Sequence, residues 1–424
     1  MNEKFLHYIW QHKLLVANQL KTEDGEIIEV IDPGKLNTDA GPDFFNAKLK
    51  IGNTLWAGNV EIHVHASDWA KHLHHTDKVY DSVILHVVQK IDATVHRTTG
   101  EKIIQAQLAF PAYLEKNYEA LLADTQWIAC ANKLQEIDAI FIHSWLNATL
   151  TERLTNKADF ILSLLQETNQ NWEEAFYIIL ARNFGFSTNS DAFELLAKSL
   201  PQSNLSKHKD NLFQLEALLF GQSGLLQLQK KQPDEYQLAL QKEYAFLQSK
   251  FNLTPIDAKL WKMLRLRPTN FPYIRLAQFA ALIHQSSKLF SKIIENPNLK
   301  ELQKLFNCEP SSYWGSHYQF GEICPMKSKK LGKAAIDILL INTVVPFLFC
   351  YGKSKQNETL QDAAINLLEK LPAEKNNITE NWKWLGIKAQ SAFDSQALLQ
   401  LKKHYCDDKK CLRCRIGHKV LSRN

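Results

Sequence analysis

Long apolar runs are scarce in this chain. The best, residues 334–351, is interrupted by Asp337, Asn342 and Pro346. It barely matches the roughly 20 residues that a bilayer-spanning helix needs. A buried helix that stops near Pro346 is therefore expected rather than a membrane span. No export leader is visible, since Met1-Asn2-Glu3-Lys4 leads straight into an aromatic-rich amphipathic stretch, and none is expected. Cysteine is sparse and odd in number, seven in 424 residues. Together these features argue for a reducing cytoplasm and against a disulfide framework. No repeat of fixed period is evident, so a solenoid is not expected. Neither sign of charge dominates: the net charge is +5, with 45% hydrophobic and 22% charged residues. That composition is ordinary for a globular protein, and the length suits two or three domains.

What is present is unevenly placed. Residues 401–424 hold eight Lys/Arg against two Asp, a net +6, whereas residues 1–110 hold eleven against fourteen acids, a net −3. Nine of the fifteen histidines precede residue 97. A basic tail that also carries cysteines hints at nucleic acid more strongly than the overall charge does.

The densest chemistry lies in Gly41–His65. Asp43 follows Pro42 at the start of a strand-like run, Phe45–Ile51, and Gly52-Asn53 makes the turn. A second strand-like run, Thr54–Val64, carries Glu61 and His63, with His65 at its end. Strand alternation sends Val60, Ile62 and Val64 to a core and Glu61, His63 and His65 to the other face. Such a face is usually just the wet side of a half-buried sheet. Here a second carboxylate one hairpin away, Asp43, gives the set the means to hold a divalent metal.

Around this hairpin a helix is expected over Glu3–Leu20 and a strand over Glu26–Ile31. A short helix is expected over Trp69–His75, and further strands over Val79–Val88 and Ile103–Leu108. His72 and His74 read as one exposed helix face. His75 and Asp77 read equally as ligands or as surface, and His86 reads as a satisfied core histidine. The pair His63-x-His65, to which His72, His75 and Asp77 could add ligands, also suits zinc, which imidazoles bind well.

The order helix, three strands, helix, strand, with Pro42-Asp43 and Glu61-Ile62-His63, resembles the PD-(D/E)XK nuclease superfamily over about the first 110 residues. That resemblance implies an αβββαβ restriction-endonuclease-like core. Asp43, Glu61 and the carbonyl of Ile62 would bind Mg²⁺ or Mn²⁺, and His63 would stand where the family has a water-positioning lysine. Glu3 occupies the first helix, where many members add another carboxylate. The stretches Asn37–Phe44, Gly58–Val64, Ser67–Trp69 and Leu85–Val88 also look like a bacterial family known only as a domain of unknown function. That likeness continues through the chain and supplies no activity.

From about Ala112 to Gln400 the pattern turns helical, with i, i+3, i+4 apolar spacing over Trp145–Gln166, Trp172–Asn183, Ser190–Leu200, Leu212–Gln229 and Pro233–Lys250. Arg265, Arg267 and Arg275 surround Pro268 and Phe271 and are phosphate-contact candidates, although a solvated charged face on a helix boundary accounts for them more simply. The tail reads Cys406-x4-Cys411-x2-Cys414-x3-His418. This is a ligand set for structural zinc. It also fits an iron–sulfur cluster if Cys130, Cys308 or Cys324 replaces His418. Lys409, Lys410, Arg413 and Arg415 interleave with these ligands and offer phosphate contacts.

The expected architecture is an α/β nuclease-like core over residues 1–111, a helical domain over 112–400 and a basic metal knuckle over 401–424. The expected function is metal-dependent cleavage of DNA or RNA. Two rivals are a non-catalytic nucleic-acid binder or scaffold on the same fold, and a zinc hydrolase of a small molecule.

Overall fold

Alternating apolar residues build the central hairpin. In the computed structural model, which describes residues 2–16, 20–228, 233–286 and 288–423, strand β1 spans Ile28–Asp32 and β2 spans Lys35–Leu36. Strands β3 (Phe44–Ile51) and β4 (Thr54–His65) meet at a two-residue turn in which Gly52 takes φ +56°, as tight hairpins require. Phe44, Ala47, Leu49 and Ile51 of β3 are buried. A bulge between Phe44 and Ala47, with Asn46 at φ +56°, breaks the register just after Asp43.

Strand β4 pairs antiparallel with β3 and parallel with β5 (Val83–Lys90), and β5 pairs parallel with β6 (Gln105–Gln107). The result is a mixed six-stranded sheet of order β1-β3-β4-β5-β6, with β2 on β3. Helix α1 (Glu3–Gln11) packs on β4 and buries Phe5, Leu6, Ile9 and Trp10. It ends at Gln11, short of the expected Leu20; residues 17–19 lie outside the described residues. The parallel β4–β5 connection runs through α2 (Asp68–Lys71) and two short 3-10 turns, His74–Thr76 and Lys78–Ser82. Thus the expected strand start at Val79 is corrected to Val83, and the expected helix over Trp69–His75 is cut at Lys71.

Compact packing divides the chain into residues 1–145 with 402–424, and residues 146–401. The expected boundary at 111 falls inside the first unit. Helix α3 (Ala112–Ala123) belongs there, with Tyr118 stacked on Phe5 at 4.9 Å. The tail belongs there too, because the Arg415–Leu421 helix packs on α3 and Asn117 Nδ2 donates to the carbonyls of Leu421 (3.1 Å) and Arg423 (2.8 Å). Apolar periodicity identifies helices but not which neighbours they bury against.

The second unit is helical. Trp172–Phe184, Ser190–Ser199 and Glu235–Phe251 lie close to their expected spans, whereas Leu212–Gln222 stops short of the expected Gln229, ahead of a left-handed Gly224; Gln229 itself lies outside the described residues. Helix Ala139–Glu167 begins earlier than expected. Among the described residues one helix, Lys333–Ser354, is long and apolar enough to cross a membrane, and most of it is buried. It does not stop at Pro346. A π turn over Leu340–Val344 precedes the proline, and the Asn342 carbonyl, which Pro346 has no N–H to satisfy, accepts from Asn183 Nδ2 at 3.0 Å.

Candidate metal centre

Asp43 and Glu61 are locked together across the hairpin. The Asp43 backbone N–H donates to Glu61 Oε2 at 3.0 Å, and the Ile62 N–H donates to Asp43 Oδ2 at 2.9 Å. The two carboxylates thus hold each other's strands in register. From α1, His7 Nε2 reaches Asp43 Oδ2 at 3.2 Å. Glu3 on the same helix is half-buried, and its charge reaches His7.

The face of β4 that carries Glu61 and His63 is not wet. Glu61 is 4% exposed and His63 2%, because residues 66–82 fold over it. Trp69 is buried there, His74 stacks on Tyr80 at 3.7 Å, and Trp69 lies 5.2 Å from His86. Leu73 takes the left-handed conformation at φ +62°, which ends the α2 turn and swings His74 inward. His74 Nε2 then stands 3.2 Å from Glu61 Oε1, and His63 Nε2 stands 3.4 Å from the same oxygen. His72 Nδ1 lies 3.1 Å from His63 Nε2. The ligand atoms of His63, His72 and His74 all fall within 4.8 Å of one another.

Below this group, His86 Nε2 meets His63 Nδ1 at 2.9 Å. Burial, and then repulsion from His86, His74 and His72, pushes His63 down to about 2. Burial, followed by His74, pushes His86 down to about 3. Both rings are therefore neutral, the state in which imidazole binds metal. Burial raises the Glu61 carboxyl against the opposing influence of His74 beside it. For His7, burial resists protonation, but Asp43 outweighs it and the pKa is raised. The buried Nε2 atoms of His7 and His74 face carboxylates without aligned hydrogen bonds.

Of the residues expected here, Asp43, Glu61 and His63 come together. His65 sits at the strand end, 44% exposed at its side chain, 3.6 Å from Asp68. His75 is exposed, and Asp77 caps the Lys78–Ser82 turn through the Val79 N–H. His74, read as exposed, is instead turned in to His63, and His72 joins them while staying exposed as expected, because the helix ends before both. His7 carried no warning beyond the density of histidine. His86 is a core histidine as expected, but only half satisfied: Nε2 meets His63, while the buried Nδ1 has no hydrogen-bond partner.

The phosphate-contact candidates separate. Arg265 and Arg267 are exposed. Arg275 lies 4.1 Å over Phe186, bonds Gln278 (2.8 Å) and Asn270 (2.7 Å), and is pushed down to about 10 by burial. Arg413 is exposed, and Arg415 lies 5.1 Å over Trp145. Lys410 pairs with Asp408 at 2.6 Å, and Lys409 donates to the carbonyl of Asp124 at 2.8 Å. His418 is turned toward α1, with Nδ1 2.7 Å from the Tyr8 hydroxyl.

The match to a known family spans residues 3–377. The chain belongs to the family described as protein of unknown function DUF2851. The matched residues contain the whole histidine–carboxylate group and stop before the tail cysteines. No curated protein matches the chain, and no solved structure does.

Proposed function

We propose that the protein is a metal-dependent hydrolase of phosphodiester bonds in DNA or RNA, on a core related to the PD-(D/E)XK nucleases. The observation that carries this reading is the reciprocal lock between Asp43 and Glu61, with His63 two residues on. The element order α1, β1, β3, β4, α2, β5, with the short β2 as an addition, agrees with it.

The residues fit an ion. Glu61 Oε1, His63 Nε2, His72 Nδ1 and His74 Nε2 would hold it, and one of the four, the buried His74 Nε2, has no aligned hydrogen bond. Three imidazoles shift the preference from Mg²⁺ toward Mn²⁺ or Zn²⁺. Such an ion would supply Lewis acidity to a phosphoryl oxygen and to the attacking water. His86 fixes the His63 ring by engaging Nδ1, which leaves Nε2 to face the site. Asp43 holds the Ile62 amide and sets the distance between β3 and β4. His7, with its pKa raised beside Asp43, is suited to carry the proton that a leaving oxygen needs.

The same three imidazoles favour a second reading, a zinc hydrolase of a small molecule. One experiment separates the two. The full chain is assayed for metal content, then for cleavage of single- and double-stranded DNA and RNA with Mg²⁺, Mn²⁺ or Zn²⁺, alongside Asp43→Ala, Glu61→Ala and His74→Ala. Cleavage that is lost in all three variants is expected. Nucleic-acid binding without cleavage, unchanged in Asp43→Ala, would replace the nuclease with a binding protein. Zinc lost in His74→Ala with no nucleic-acid affinity would leave the small-molecule hydrolase.

A further inference from the structure

Four of the seven cysteines belong to the first unit, Cys130, Cys406, Cys411 and Cys414, and all four are free thiols. Cys406 closes a π-helical turn, Lys402–Cys406. Cys411 opens the 3-10 turn Cys411–Arg413, and Cys414 precedes the Arg415–Leu421 helix. Cys130 immediately precedes another short turn, Ala131–Glu136. The tail is fastened beside it. Lys409 Nζ donates to the carbonyls of Leu122 and Asp124, and Lys402 Nζ lies 5.0 Å over Trp127. Gly417 is needed where the Arg415–Leu421 helix crosses this turn, because a Cβ there would meet the Cys411 carbonyl oxygen at 2.1 Å.

Lys409 seats the Cys406–Cys414 run beside the segment that leads to Cys130. Burial is the main cause that keeps Cys130 protonated, and Cys414 and Cys411 add to it. Burial likewise raises Cys406, helped by Cys414, Cys130 and Cys411. Two cations, Lys402 at Cys406 and Lys409 at Cys411, work in the opposite direction and favour thiolate. The other three cysteines have separate surroundings. Cys308 donates to the Gln278 carbonyl at 3.3 Å, Cys350 donates to the Ala158 carbonyl at 3.6 Å, and Cys324 accepts from Lys329 at 3.8 Å. An isolated buried cysteine is an ordinary small hydrophobe. Three cysteines within nine residues of the tail, fastened through Lys409 and Lys402 beside the segment that leads to Cys130, offer a ligand set.

We propose that Cys130, Cys406, Cys411 and Cys414 hold an iron–sulfur cluster. The run Cys406-x4-Cys411-x2-Cys414 with a remote fourth cysteine is the spacing of plant-type [2Fe–2S] ligands. Structural zinc sites more often pair two close-spaced knuckles, and only one is present here. His418 is replaced as the fourth ligand because its ring faces Tyr8 and stands 4.7 Å from His12. The cluster staples residues 402–424 to the segment around Cys130, and this assignment is independent of the hydrolase reading.

The test uses the full chain, expressed with added iron and handled without oxygen. Iron, acid-labile sulfide and zinc are measured per chain, with the visible spectrum. Wild type is expected to carry iron and sulfide in equal amounts. Both are expected to disappear in Cys130→Ser and to persist in Cys308→Ser, His418→Ala and Glu61→Ala. A second measurement covers a Cys130→Ser chain that fails to fold: in wild type, four thiols should resist alkylation until iron is chelated. Zinc in place of iron and sulfide, no metal in wild type, or iron lost from His418→Ala but kept in folded Cys130→Ser would overturn the proposal. Iron and sulfide present in a wild-type chain that cleaves no nucleic acid would leave the cluster standing and overturn the hydrolase.

Discussion

His63 Nδ1 and His86 Nε2 meet at 2.9 Å with both residues at most 2% exposed. His86 touches none of the proposed metal-facing atoms directly, so it acts by aiming the His63 ring. Removing such a partner typically lowers metal affinity by about 10–100-fold. His86→Phe is therefore expected to weaken Mn²⁺ or Zn²⁺ binding by that order in titration calorimetry, with the fold retained by circular dichroism. Unchanged affinity would show that the ring is held by packing alone.

The same pair sets an acid limit. Both pKa values are depressed in the folded state, to about 2 and about 3, against about 6.5 when unfolded. Between these values the unfolded chain binds more protons, so stability is complete above about pH 6.5 and falls as the pH drops below it. Each ring contributes at most about 1.4 kcal/mol per pH unit in that window. The metal-free protein should show a lower urea midpoint at pH 5 than at pH 7.5, and the difference should shrink in His86→Phe. Equal midpoints at the two pH values would mean that the histidines are solvated in solution.

Leu73 holds φ +62° at the point where the chain turns His74 inward, and the residue is 61% exposed. A left-handed non-glycine residue costs roughly 1–2 kcal/mol. Leu73→Gly should recover about 1 kcal/mol of that in chemical denaturation while metal binding is kept. Lost metal binding would mean that the leucine side chain itself holds the turn.

In the second unit, Asn183 serves two acceptors beside the π turn, the Asn342 carbonyl at 3.0 Å and Thr343 Oγ1 at 2.9 Å. Asn183→Leu leaves both without this donor. A loss of about 1–3 kcal/mol is expected, read from the denaturation midpoint. Pairing it with Pro346→Ala, which returns an N–H near the same carbonyl, should recover part of the loss.

The hairpin was legible because period-two alternation and a Gly-Asn turn act over neighbouring residues, and they place Asp43, Glu61 and His63 without reference to the rest of the chain. The gathering of His72 and His74 was not. The inward turn of His74 depends on a left-handed Leu73, a conformation that leucine does not advertise. His7 is brought in by the docking of α1 on β4, a tertiary event. The tail spacing of Cys406, Cys411 and Cys414 was plain. The choice between Cys130 and His418 depended on which way the Arg415–Leu421 helix faces. Helix Lys333–Ser354 was misread at Pro346 because the Asn183 side chain that compensates the proline is far away in sequence.

The first unit is completed by residues 402–424, which are made after all of residues 146–401. At about 5–20 residues per second on the ribosome, the N-terminal sheet waits roughly ten to fifty seconds for its last segment. Over that interval the surface of α3 and the Cys130 thiol lack their partners, so residues 1–145 are exposed to chaperones and oxidants during synthesis. Any change that slows translation of the helical region lengthens that exposure without altering a single contact of the finished protein.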